Sequence, residues 1–108
     1  MWAQLIKRRL KPGHEAELEL LRQHLQVTEH PGSGLVRSTT MRDHNDPNAV
    51  YTLVVFEGEE KARAREQDPG REEGLREVRA AMAEMFEGPP EFTDLTVATE
   101  YTDQAHAH

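Results

Sequence analysis

The spacing of apolar residues along this chain switches between a period of two and a period of about 3.6, and proline or glycine marks nearly every switch. That alternation constrains the fold more than any single motif does, because the first period lines a strand and the second a helix. Trp2 to Leu10 reads as a strand, with Trp2, Gln4, Ile6, Arg8 and Leu10 on one face and Ala3, Leu5, Lys7 and Arg9 on the other. Apolar groups stand on both faces, as in a strand covered on both sides over part of its length. Pro12-Gly13 ends it. From about His14 to Thr28 the helical period takes over, with Leu18, Leu21 and Leu25 in a stripe widened by Leu20. Glu15, Glu17 and Glu19 fill its first turns, where carboxylates complement the helix dipole, and His30-Pro31-Gly32-Ser33-Gly34 is the stop.

Leu35 to Met41 alternates again, setting Leu35, Arg37, Thr39 and Met41 against Val36, Ser38 and Thr40, a polar strand suited to an edge or a wet cavity. The turn residues 43–48 follow, and then Val50 to Phe56, whose unbroken β-branched and aromatic content suits a central strand buried on both faces. The two strands make a hairpin. Glu59 to Gln67 is helix-prone but weakly amphipathic, and Asp68-Pro69-Gly70 is either a kink or a real break. A stronger helix is expected from about Arg71 to Phe86, with Leu75, Val78, Met82 and Met85 or Phe86 on one stripe. Gly88-Pro89-Pro90 ends it, leaving Phe92 to Thr102 as a last strand on which Leu95, Val97 and Tyr101 share a face.

The order β-α-β-β-α-β is that of a ferredoxin-like α+β sandwich, one four-stranded antiparallel sheet with both helices on a single face. At 108 residues there is room for one domain, expected over residues 1–103 with a tail at 104–108. The second sheet face needs a lid for its apolar residues, drawn from Ala3, Leu5, Tyr51, Leu53, Val55, Leu95, Val97 and Tyr101 or from the opposite parity. A domain this small gains core cheaply from a partner, so a homodimer closed across the open sheet face is expected.

Charge and composition narrow the partners. Thirteen Lys and Arg against 20 Asp and Glu give a net charge of -7, which repels phosphate backbones and anionic lipid. Neither nucleic acid nor membrane is expected, and no run of 18 apolar residues occurs. Cys is absent, which removes disulfides, thiolate chemistry and CxxC metal sites, and the cytoplasm is the expected compartment. No phosphate-binding glycine motif, zinc motif or nucleophile elbow is present. Six histidines are spread over His14, His24, His30, His44, His106 and His108 with no spacing that gathers three metal ligands, so no metal is expected.

Any chemistry must then rest on a pocket between sheet and helices. Trp2, Gln4 and Ile6 share a strand face. If that face meets the helices, Gln4 puts an amide in an apolar chamber, where it either holds a ligand carbonyl or ties down a neighbour. Arg37 and Thr39 are candidates on the same logic, with Thr52 as a further hydroxyl. Met82 and Phe86 offer a soft apolar wall, which plain core packing would equally explain. His14, just after Pro12-Gly13, is the one histidine placed for a role at a pocket mouth.

The chain resembles the antibiotic biosynthesis monooxygenase (ABM) family of the dimeric α+β barrel superfamily. The resemblance lies in Leu10-Lys11-Pro12-Gly13, Pro31-Gly32, Asp43 with Asp46-Pro47, and Val54-Val55-Phe56-Glu57, where Phe56 replaces the family's usual tryptophan. It runs over about residues 2 to 102, and the order and spacing of these loose motifs give it force. The resemblance implies an oxygenase without cofactor, in which an electron-rich aromatic is deprotonated in an apolar pocket and its own anion reduces oxygen. The haem-degrading branch is disfavoured. Its Asn, Trp and His would fall close to Ile6, Arg65 and Leu75, and no histidine lies between His44 and His106. The expected function is thus a cofactor-independent monooxygenase of an aromatic polyketide-like or quinol-like molecule. Gln4 and Arg37 hold the oxygen, His14 is the base, and Trp2, Ile6, Thr39, Thr52, Met82 and Phe86 line the site. The alternative is a ligand-binding or structural dimer of the same fold with no turnover.

Overall fold

The computed structural model describes residues 1–28 and 32–102, so His30, His106, His108 and the expected tail lie outside the described residues. Four strands, β1 (Trp2–Leu10), β2 (Leu35–Arg42), β3 (Ala49–Phe56) and β4 (Phe86–Thr96), form one sheet in the order β2-β3-β1-β4 with every neighbouring pair antiparallel. Helix α1 (Glu17–Thr28) links β1 to β2. Three short helices, α2 (Glu59–Glu66), α3 (Pro69–Gly74) and α4 (Arg76–Met85), link β3 to β4. This is the ferredoxin-like α+β arrangement that the sequence periods imply.

Local chemistry sets the boundaries. Helix α1 starts at Glu17 rather than His14, because residues 14–16 form turns in which the Glu17 N–H donates to the His14 carbonyl at 3.0 Å. The chain breaks fully at Asp68-Pro69-Gly70. Asp68 caps α3 by accepting from the Gly70 N–H at 3.0 Å, and Pro69 stands in its first turn, where no N–H is needed. The expected helix from Arg71 to Phe86 is divided at the buried Leu75. Phe86 has already left the helix and opens β4.

Gly88-Pro89-Pro90 does not stop an element but lies within β4, and β4 ends at Thr96 rather than Thr102. Two prolines fit there because β4 is an edge strand and its register with β1 slips between Lys7 and Arg9, leaving those residues outside the ladder. Val97 and Tyr101 therefore lie beyond the sheet rather than on one of its faces. The Val97 N–H donates to the Met1 carbonyl at 3.1 Å, and Glu100 pairs with Arg37 of the far edge strand at 3.4 Å, so residues 97–100 carry the chain across the sheet.

The helices cover the face of Trp2, Gln4, Ile6, Arg8 and Leu10, whose partners on β3 are Phe56, Val54, Thr52 and Val50. The other face carries Ala3, Leu5, Tyr51, Leu53, Val55 and Leu95. It is open and greasy: Met41 and Leu95 are 44% and 41% exposed, and Leu5, Tyr51 and Leu53 are half-buried. Under the helices the core is divided. Leu10, Val50, Met85 and Phe86 pack with Leu18, Leu21 and Met82 at one end of the sheet. At the other end Trp2, Phe56 and Ala62 pack with Leu35 and Val54 beneath α2.

Candidate functional site

Between those two clusters the helix-facing side of the sheet is only partly roofed. Gln4, Ile6 and Thr52 there are half-buried, and Phe92, opposite Ile6 on β4, is 58% exposed. The strip is bounded at one end by Trp2 under α2 and at the other by Phe86 and by Met82 of α4. Its middle is an apolar floor of Ile6 and Phe92 edged by polar groups.

Those polar groups are already oriented. The Gln4 amide donates to Asp94 at 3.0 Å, and Asp94 also accepts from Arg63 of α2 at 3.2 Å. Arg63 in turn lies over the Trp2 ring at 5.3 Å, while Trp2 meets Phe56 in a tilted contact with centroids 6.0 Å apart. Thr52 shares a hydroxyl bond of 3.1 Å with Thr40 of β2. Gln4 thus ties down a neighbour, the second of the two roles open to it from sequence.

The structure gathers Trp2, Gln4, Ile6 and Thr52 along one side of β1 and β3, with Met82 and Phe86 closing one end. It does not bring Arg37, Thr39 or His14 to them. Arg37 pairs with Val55 and Thr39 with Leu53, so both look out from the open sheet face. The cause is a bulge in β2 between Leu35 and Arg37, which keeps Leu35 against Trp2 and turns every later odd-numbered residue to the other side. His14 stands beyond Leu10, itself about 20 Å along the strand from Gln4, and its Nδ1 is 2.9 Å from Glu17. A base role for His14 in this strip is therefore not available from where it sits.

Arg8 is a further residue of this side that no sequence motif marks. It shares the helix-facing side with Gln4 and Ile6, and its guanidinium lies 4.4 Å from the centroid of Phe86. Its Nη1 is 3.3 Å from the Met82 sulfur, and its Nε is buried with no hydrogen-bond partner. Burial holds the Arg8 guanidinium below its ordinary pKa. The available signal was parity alone, a charged residue at an inward position.

A separate groove of about 370 Å³ runs between α1 and α4, lined by Leu20, Leu21, His24, Val78 and Met85 with Glu17 and Glu77 at its rim. None of Trp2, Gln4, Ile6, His14, Arg37, Thr39, Thr52, Met82 and Phe86 lines it. Among the described residues no cluster of three His, Asp or Glu side chains could hold a metal, and no helix is long and apolar enough to cross a membrane.

The backbone path has many counterparts among solved structures. A mutant of SnoaB, a cofactor-independent oxygenase from Streptomyces nogalater, superposes with a TM-score of 0.68 at 19% identity over 94% of this chain and 98% of that one. A Bordetella bronchiseptica protein named for antibiotic biosynthesis monooxygenases gives 0.71 at 17% identity, over 91% and 97%. Rv0793 from Mycobacterium tuberculosis gives 0.68 at 15%, over 94% and 98%. The chain has the antibiotic biosynthesis monooxygenase fold. No family model and no curated protein matches the sequence. At these identities the fold alone is what is shared.

Proposed function

We propose that the protein is a cofactor-independent monooxygenase of an electron-rich aromatic, quinol-like or polyketide-like molecule, working as a homodimer closed across the open sheet face. The observation that carries this reading is the half-roofed strip of Gln4, Ile6, Thr52 and Phe92 between two separate cores, in a fold shared with a cofactor-independent oxygenase. The ring lies on Ile6 and Phe92 with its edge toward Gln4. Asp94, oriented by Gln4 and Arg63, takes a proton from the activated ring carbon. The resulting carbanion gives its electrons to oxygen and forms a carbon-bound peroxide anion, which takes the proton back from Asp94 to become a hydroperoxide. Loss of the remaining hydrogen on that carbon as a proton breaks the O–O bond. A methylene and one dioxygen thus become a carbonyl and one water, and the protein supplies desolvation, orientation and a proton acceptor.

Oxygen uptake tests this with hydroquinones and anthrones, without added metal or flavin. One dioxygen consumed per anthrone oxidised is expected, with the rate lowered at least about tenfold by Asp94→Asn. Rates at the uncatalysed background across the panel would sink the reading. One observation favours the alternative of a binding or structural dimer: both Asp94 oxygens already accept hydrogen bonds, so the carboxylate is engaged by Gln4 and Arg63 rather than free to meet a substrate. Ligand binding without oxygen uptake would select it.

A further inference from the structure

We propose that Arg8 is an anion anchor, which makes the strip selective for flat aromatic ligands that carry a carboxylate at one end. The proposal rests on the strip being the binding site and names the class of ligand it takes.

The chain has 20 acidic residues and 13 basic ones, and Arg9, Arg22, Arg37, Arg42, Arg63 and Arg79 each stand beside a carboxylate. Arg8 has none among the described residues. Its contacts are a ring face and a thioether sulfur, and neither neutralises a cation; sulfur is also a weak acceptor. A half-buried guanidinium with an unsatisfied Nε carries a desolvation cost that an anion would offset.

Geometry points the same way. The register of β4 slips between Lys7 and Arg9, so no β4 residue is paired opposite Arg8, and the ladder opens beside it. Arg8 keeps part of its surface exposed and follows Ile6 and Gln4 along the same side of β1. About 13 Å of strand separates Gln4 from Arg8, so a ring system lying on Ile6 has one edge at each. Gln4 and Asp94 make the far end acidic and hydrogen-bonding, and Arg8 makes the near end cationic. A planar guanidinium matches a carboxylate better than any neutral group.

Isothermal titration calorimetry with a naphthalene carboxylate and the matching carboxamide tests the anchor without turnover. The wild-type chain is expected to bind the carboxylate on the order of 10- to 100-fold more tightly. Arg8→Met, which keeps an apolar stem against Phe86, should bring the ratio to near unity and leave the carboxamide affinity unchanged. Arg8→Gln, polar and uncharged, serves if Arg8→Met does not fold. Equal affinities in the wild type, no binding of either probe at millimolar concentration, or a preference that survives both substitutions would overturn the proposal. Oxygen uptake from quinols without a carboxylate preference would remove the anchor alone. A carboxylate preference without oxygen uptake would remove the oxygenase reading alone.

Discussion

Gly34→Ala is the substitution for which the structure gives the sharpest expectation. Gly34 has φ +86, a conformation that costs an L-residue roughly 1–2 kcal/mol. A Cβ built there stands 2.5 Å from Cβ and 2.8 Å from Cγ of Lys61 on α2. Carbon atoms rest about 3.5–4.0 Å apart, so α2 must retreat by roughly 1 Å. Lys61 Cβ is fixed to the helix and cannot swing aside, and the retreat draws the adjacent Ala62 off Trp2 and Phe56. Overpacking of this kind adds about 1–3 kcal/mol, for a total of about 2–5. In a domain of this size each kcal/mol lowers Tm by about 4–8 °C, so a drop of at least about 8 °C is expected by circular dichroism. Gly32→Ala isolates the backbone part, since φ is +82 there and nothing lies within 4 Å; Gly58→Ala, with ordinary extended backbone and open space, should be nearly neutral. Lys61→Ala should not rescue the variant because it keeps the offending Cβ. Fluorescence of Trp2, the single tryptophan, reports whether α2 has moved. Equal losses for Gly34→Ala and Gly32→Ala would refute the reasoning.

Leu10 is fully buried, and Leu10→Ala should cost about 2.7–5 kcal/mol by urea denaturation, whereas Leu20→Ala at a 55% exposed position should cost under about 0.5. Leu53→Glu on the open sheet face should turn a dimer into a monomer in sedimentation velocity; an unchanged dimer would move the interface elsewhere. The Asp46 carboxyl is held below its ordinary value of 3.8, first by the hydrogen bond from Arg9 and then by that residue's charge. Its contribution is therefore complete above that value and lost as pH falls through the lower folded one. The gap in urea midpoint between wild type and Asp46→Asn should be constant near neutrality, shrink below pH 3.8 and narrow in high salt.

The strands and their order were legible in the sequence because a period of two is local and strong: Trp2–Leu10 is found where it was read, and the β3 run differs by a single residue. What stayed hidden was non-local. The β2 bulge adds a residue that no composition marks, and it reverses the sides of Arg37 and Thr39. Gly88-Pro89-Pro90 reads as the end of the preceding helix, but that helix is already over at Met85, and an edge position makes the prolines tolerable within β4. Arg8 stands at an inward parity, but that no carboxylate among the described residues pairs with it is a property of the packed helices. Its meaning could not be read along the chain.

The same packing explains why the middle of this face is only partly covered. Residues 59–85 as one straight helix would run about 40 Å and could not follow the sheet at both of its ends. Asp68-Pro69-Gly70 and Leu75 break it in two places, which sends α2 to the Trp2 end of the sheet and α4 to the Leu10 end. Each short helix seals the cluster beneath it, and neither covers Ile6 and Thr52 midway between. A continuous roof would have joined the two cores and buried the guanidinium of Arg8 beyond reach of any anion. The breaks in the helical connection, more than the composition of the sheet, are what leave Ile6 and Thr52 half-buried between two packed ends.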